Sequence, residues 1–229
     1  MTNNTDPYHI CIYGDSNSWG YLDDGQGRRY AQRWPVVMKE ELNTSSQRLI
    51  ELTEECLPGR TTAYPDPQEG PEYNGLPYLK PALLSHAPVD LVLIMLGTND
   101  GKARFDASAE QIADNLITLA KIVRRAPVGV GKWREAPAPK VMLIAPARLG
   151  DKARLEKWPR YAEWIGGFDK LSALPDILEQ KVAKLADENV IFADANQAAS
   201  SSHLDPIHWQ AEMHHKMGTF MAQQVMPII

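Results

Sequence analysis

The chain has 229 residues, 44% of them hydrophobic, and a formal net charge of −5. A chain of this length buries roughly 70–75% of its unfolded surface, enough for one α/β core or two small ones. The acidic balance removes the electrostatic drive toward nucleic acid or an anionic membrane, and the longest apolar run, Leu91–Gly97, falls far short of the roughly 20 residues a spanning helix needs.

The N-terminal stretch MTNNTDPYHI carries neither the basic nor the apolar part of a secretory leader. Two cysteines, Cys11 and Cys56, cannot make a disulfide framework. Both are expected as buried, reduced thiols within the sheet, which suits a cytoplasmic protein.

Along the chain, apolar and amphipathic segments alternate. The first strand is predicted at His9–Tyr13, followed by a helix over Arg33–Leu42 and a second strand over Arg48–Thr53. A helix over Leu76–His86 leads to the third strand, Val89–Leu96, whose near-continuous apolar run implies burial on both faces. Ser108 with Gln111 three residues on marks a capping box. The helix it opens, to Arg125, puts Ile112, Leu116, Leu119 and Val123 on one face. The fourth strand is Lys140–Ala145, the fifth Val190–Ala193, with a helix over Asp176–Glu188 between them. Met213, Met217 and Phe220 share a face of the last helix, where core packing explains the methionines better than a binding groove.

This alternation predicts a single α/β domain over 1–229. It is a three-layer α/β/α sandwich around a flavodoxin-like, five-stranded parallel sheet. Three irregular stretches remain. Tyr64–Pro77 and Pro127–Pro139 are rich in proline, and Gly150–Gly167 holds Trp158, Tyr161 and Trp164. Such loops are functional or oligomeric elements more often than linkers. The aromatics of the third fit a pocket wall or a neighbouring subunit equally, so a homo-oligomer is an expectation.

In doubly wound sheets ligands bind at the carboxyl ends of the strands. There the sequence reads Gly14-Asp15-Ser16-Asn17-Ser18-Trp19-Gly20 after the first strand and Pro58-Gly59-Arg60-Thr61-Thr62 after the second. Gly97-Thr98-Asn99-Asp100 follows the third, and Asp205-Pro206-Ile207-His208 follows the fifth. Ser16 on a tight turn is an exposed hydroxyl that needs a base. His208, expected to open the last helix, is that base, and Asp205 three residues earlier can fix its tautomer. Asp194 is the rival carboxylate, disfavoured by its spacing to His208. Backbone N–H groups of Ser16 and Gly59 and the amide of Asn99 supply oxyanion donors. Asp15, Thr98 and Asp100 read as structural residues of these turns.

Together GDSNSWG, Gly59 in PGRTT, Asn99 in GTND, and DPIH resemble the four blocks of the SGNH (GDSL-like) hydrolases. The resemblance implies Ser16 as nucleophile, Asp205 and His208 as acid and base, and an oxyanion hole of Ser16, Gly59 and Asn99. GRTT, Asn74–Leu79, DLVLIMLGTND and DPIHW are further similar to bacterial aryl esterases with acyltransferase activity. That likeness implies cleavage of short, acetyl-type esters through an acyl-enzyme, without a cofactor. The partners are then a small ester and water or an alcohol acceptor, with no nucleic acid and no membrane. Asn17 stands where the GDSL motif has Leu; it is expected to leave the mechanism intact and to alter pocket polarity. Trp19 and Ile207, flanking nucleophile and base, are candidate pocket walls.

Two other activities stand beside this one: a carbohydrate acetyl esterase using the same residues, and a non-catalytic phosphate- or nucleotide-binding module. The second lacks both G-x-G-x-x-G and G-x-x-x-x-G-K-[ST]. The His203, Asp205, His208, His214 and His215 group invites a metal, but adjacent His214 and His215 point about 100° apart on a helix, and no metal is expected.

Overall fold

A computed structural model describes residues 6–229; the first five residues, part of the N-terminal stretch read above, lie outside the described residues. The chain runs through β1 (Tyr8–Gly14), α1 (Ser16–Trp19), α2 (Trp34–Ser45), β2 (Ile50–Cys56) and α3 (Gly75–Ser85). It continues through β3 (Leu91–Met95), α4 (Ala109–Val123), β4 (Lys140–Ala145), α5 (Gly167–Leu185), β5 (Val190–Asp194) and α6 (Ala211–Val225). Among the described residues no helix is long and apolar enough to cross a membrane.

The five strands form one sheet in the order β2-β1-β3-β4-β5, and every pair is parallel. All five residues of β3 are buried, and five of the six in β4, as expected of strands covered on both faces. Alternate side chains of the sheet feed two cores. Cys11, Tyr13, Val92 and Ile94 pack under α3, α4 and α5. Ile10, Ile12, Leu93 and Met95 pack under α2 and α6. The α2–α6 contact depends on Gly218, where an added Cβ would stand 2.5 Å from that of Val37. Met217 and Met221 of α6 are fully buried there, so this methionine row is core. Each such side chain contributes about 1.5–3 kcal/mol by leaving water.

The helix over Ser108–Arg125 takes its predicted form. Ser108 accepts from the Gln111 N–H, and the Gln111 side chain accepts from the Ser108 N–H. One helix differs more. The stretch expected over Asp176–Glu188 is helical from Gly167, with Pro175 inside it. Pro175 forfeits one helical hydrogen bond, but buried Leu171, Leu174 and Leu178 hold both sides of it against the core. The predicted second strand shifts to Ile50–Cys56 and is an edge strand, mostly half-buried. Cys11 is buried and Cys56 half-buried, and both are free thiols. Burial pushes the Cys11 thiol up to about 12 and the Cys56 thiol well above its ordinary value. Both are therefore protonated, inert groups.

This strand order has its switch point between β1 and β3, where successive connections leave toward opposite faces. Ser16 follows β1 and Asn99 follows β3, so the sequence blocks meet at the carboxyl edge of that crevice. The Pro127–Pro139 stretch lies at the opposite rim. It leads into the start of β4, and its Val128 carbonyl accepts from Val89 N–H just before β3.

Candidate functional site

The turn after β1 is built by its own side chains. Asp15 caps α1, its Oδ1 accepting from the Asn17 N–H at 3.1 Å. Ser16 is thereby the first residue of a one-turn helix, with its hydroxyl turned toward the 205–208 segment. The His208 Nε2 lies 3.2 Å from Ser16 Oγ, and the His208 Nδ1 lies 2.5 Å from Asp205 Oδ2. The other Asp205 oxygen accepts from the Ile207 N–H at 2.9 Å. Burial pushes the Asp205 carboxyl up, but its bond to His208, the charge of that ring and two backbone N–H groups outweigh it and hold the carboxyl below its ordinary value. Asp205 is thus an ionised, fixed acceptor. The rival Asp194 instead caps the turn after β5 through Asn196.

His208 does not open the last helix, as its sequence position suggested. It lies in the connection before α6, which begins at Ala211. Three contacts from the Ser16–Asp23 segment fix this connection. Asn17 Nδ2 donates to the Ile207 carbonyl at 3.2 Å. The Tyr21 ring lies over the His208 ring with centroids 4.3 Å apart. The Asp23 N–H donates to the Trp209 carbonyl at 3.2 Å. Asn17, expected to change pocket polarity, is buried and spends its amide on this clamp. Ile207 is not an open pocket wall: it is buried in the core beneath α3–α5. Trp19 is half-buried, stands near Tyr21 and carries the Arg29 guanidinium 5.7 Å from its ring.

Gly59 has φ +92°, a left-handed conformation that side chains resist, and an added Cβ would come within 3.0 Å of the Tyr73 ring. The loop's internal turn uses the Arg60 N–H and the Leu57 carbonyl, not the Gly59 N–H. Asn99 Nδ2 donates to the Arg60 carbonyl at 3.1 Å. An amide nitrogen has two donors, so this bond orients the group and leaves a second hydrogen for a ligand. The Arg60 guanidinium lies 4.1 Å from the Tyr13 ring centroid and donates to the Gly14 and Glu55 carbonyls. Asp100 accepts from the Thr62 N–H at 3.0 Å and from the Thr62 hydroxyl. Burial raises both Asp15 and Asp100 to about 6, against the pull of these donors.

Neither Tyr21 nor Arg60 was identified from the sequence. Arg60 borders Gly59 and was there to be weighed; Tyr21 carries no local signal for stacking on a ring far along the chain. Two of the irregular stretches are tied to the block around Asn99. Arg104 bonds Asp66 at 2.5 Å and Glu163 at 3.3 Å, Arg160 bonds Glu163 at 2.9 Å, and Lys102 stands 3.8 Å from Glu163. Trp158 and Trp164 are buried against the core, and Tyr161 is half-buried. His214 is buried between Tyr30 and Trp209 while His215 is exposed. Among the described residues no three His, Cys, Asp or Glu gather as a metal site would require.

The model of the GDSL-like lipase/acylhydrolase family matches residues 12–216. A carbohydrate acetylesterase from Sinorhizobium meliloti, Est24, superposes with a TM-score of 0.85 at 32% identity, covering 97% of this chain and 100% of its own. The aryl esterase of M. smegmatis gives the same TM-score, identity and coverage. A carbohydrate acetylesterase family member from Sinorhizobium meliloti matches at 0.81 and 28% identity over 96% of both chains. No match is found among the curated proteins. The family model spans most of the chain and the overall fold superposes on these esterases, and the chain belongs to the GDSL-like lipase/acylhydrolase family.

Proposed function

We propose that this protein is a serine esterase that cleaves short, acetyl-type esters through an acyl-enzyme. The observation that carries this reading is the continuous relay from Ser16 Oγ through His208 to Asp205, at 3.2 and 2.5 Å. Ser16 Oγ attacks the ester carbonyl carbon while His208 Nε2 takes its proton. The carbonyl oxygen becomes an oxyanion and is met by the N–H groups of Ser16 and Gly59 and by the Asn99 amide. Each such donor is worth on the order of 10²–10³ in turnover. Asp205 stabilises the imidazolium without taking its proton. His208 then protonates the leaving alcohol, the C–O bond breaks, and the acyl group stays on Ser16. Water, deprotonated by His208, attacks the acyl carbon and releases the acid. An alcohol in that place yields a new ester, which is the acyl-transfer branch of the proposal.

A carbohydrate acetyl ester is the second substrate class. It is favoured because Est24, a carbohydrate acetylesterase, matches this chain as well as the aryl esterase does. Both need the same acid–base residues and differ in the alcohol. The test is p-nitrophenyl acetate, butyrate and octanoate hydrolysis by the wild type and Ser16→Ala, with sugar acetates in parallel. We expect activity that falls with acyl length and drops on the order of 10⁴-fold or more in the variant. Equal activity of the two proteins would remove Ser16 as nucleophile.

A further inference from the structure

On the β4–β5 side of the carboxyl edge lies a cavity of about 720 Å³ that includes none of Ser16, Asp205 and His208. Its size is that of small-molecule sites, which run from roughly 300 to 1,000 Å³. Its apolar surface comes from Leu149, Leu155, Trp158 and Pro159. Arg148, Lys152 and Lys157 stand around it against one carboxylate, Asp151. This is a local positive excess in a chain of net charge −5. Arg148 and Lys157 are exposed, and neither forms an ion pair among the described residues. Ser200, Ser201 and Ser202 line the far wall. An apolar floor under unpaired cations fits one ligand class: an organic anion with an aryl or alkyl body.

The far wall continues directly into the 205–208 connection. The Ser202 N–H donates to the His208 carbonyl at 3.1 Å, and the Gly150 N–H donates to the Pro206 carbonyl at 2.8 Å. Lys152 Nζ holds the Leu204 carbonyl at 2.6 Å. A ligand between the Gly150–Pro159 and Ser200–His203 walls therefore touches both strips of backbone that carry Asp205 and His208. We propose that this cavity is a second ligand site for amphipathic organic anions, linked to the ester-cleaving site through that shared backbone. The linkage rests on the esterase reading; the binding does not.

Anilinonaphthalene sulfonate, an apolar aryl body with one anionic group, is the probe. Its fluorescence is titrated against the wild type, Arg148→Gln/Lys157→Gln, and Lys121→Gln/Arg125→Gln. The last pair removes the same charge from exposed residues at the end of α4. Saturable binding to the wild type is expected, about tenfold weaker in the cavity variant and unchanged in the control pair. Equal weakening in both variants, or none in the cavity variant, overturns the site. In the second arm p-nitrophenyl acetate hydrolysis is followed across substrate concentrations up to saturation. A rate change of about twofold or more on adding the probe, absent in the cavity variant, supports the linkage. An unchanged saturated rate overturns the linkage, and a raised KM alone places the probe at Ser16 and overturns the second site. If the wild type hydrolyses nothing, the esterase reading fails and the fluorescence arm still decides the cavity.

Discussion

Tyr21 illustrates how a side chain outside the relay can set its rate. Its ring lies 4.3 Å from that of His208, tilted by 33°, and covers one face of the imidazole. It limits rotation of the ring and favours the imidazolium that forms as Ser16 loses its proton. An aromatic contact of this kind is worth about 0.5–1.5 kcal/mol, which is roughly a two- to twelvefold change in rate. Tyr21→Ala is therefore expected to lower kcat on p-nitrophenyl acetate by up to about tenfold with little change in KM. Tyr21→Phe keeps the ring and should stay within about twofold of the wild type. A Phe variant as slow as the Ala variant would assign the effect to the hydroxyl and not to stacking. The Asp205–His208 half of the relay was legible in the sequence because its geometry is local, and Ser16 was legible as the turn after the first strand. Asp205 and His208 are three residues apart and one carboxylate oxygen is fixed by the Ile207 N–H between them. Tyr21 was not legible, because its partner lies far along the chain and a lone tyrosine carries no pattern. The contact made by Asn17 was not legible for the same reason: its acceptor, the Ile207 carbonyl, is a tertiary neighbour.

At the scale of elements, the strands and most helices follow from periodicity and caps, since a buried strand or a capping box is written in adjacent residues. The helix over Gly167–Leu185 was cut short in the sequence reading because Pro175 breaks an isolated helix. Packing of Leu171 and Leu178 overrides that local cost. The stretches 64–77 and 150–167 were legible only as irregular, for what orders them is a charge cluster drawn from three parts of the chain. Arg104 is its hub. The Asp66 side chain is fully buried and is held below its ordinary value by Arg104 and two backbone N–H groups, against its burial. Removing the cation leaves that carboxylate uncompensated in the interior, which typically costs about 3–5 kcal/mol. Arg104→Gln is expected to show a loss of this order in urea unfolding, together with faster proteolytic cleavage within 64–77. Asp66→Asn/Arg104→Gln removes both charges and should recover part of the loss. Additive losses in this cycle would mean that the two residues act separately.

The molecule as a whole carries an acid–base imbalance that its surface does not reveal. Asp15 and Asp100 sit beneath the serine turn and the Asn99 turn, both raised by burial to about 6. Burial favours the neutral form of each in the folded state, and the charge of Asp15 further raises Asp100. A carboxyl raised on folding stabilises the fold fully at pH values below its unfolded pKa, and that contribution is lost as pH rises through about 6. His214 works in the opposite sense. Burial lowers it to about 4, so the unfolded chain takes up its proton first and stability falls as pH drops below about 6.5. Two carboxyls raised from 3.8 to about 6 outweigh one histidine lowered from 6.5 to about 4. The balance corresponds to about 2 kcal/mol. The depressed carboxyls, Asp66, Glu163, Asp187, Asp205 and Glu212, begin to lose their contribution as pH falls below their ordinary values of 3.8 to 4.5 and have lost it below their lowered folded values. Maximum stability is therefore expected between about pH 4 and 5. In a chain of this length, the Tm should fall by about 4–8 °C between that range and pH 7. Calorimetric melts across this range check it. Asp100→Asn keeps an acceptor for Thr62 but removes one titrating group and its repulsion of Asp15, so its profile should be flatter. A wild type most stable at neutral pH, with the Asn variant parallel to it, would show that the two buried carboxyls stay ionised in the fold at little cost.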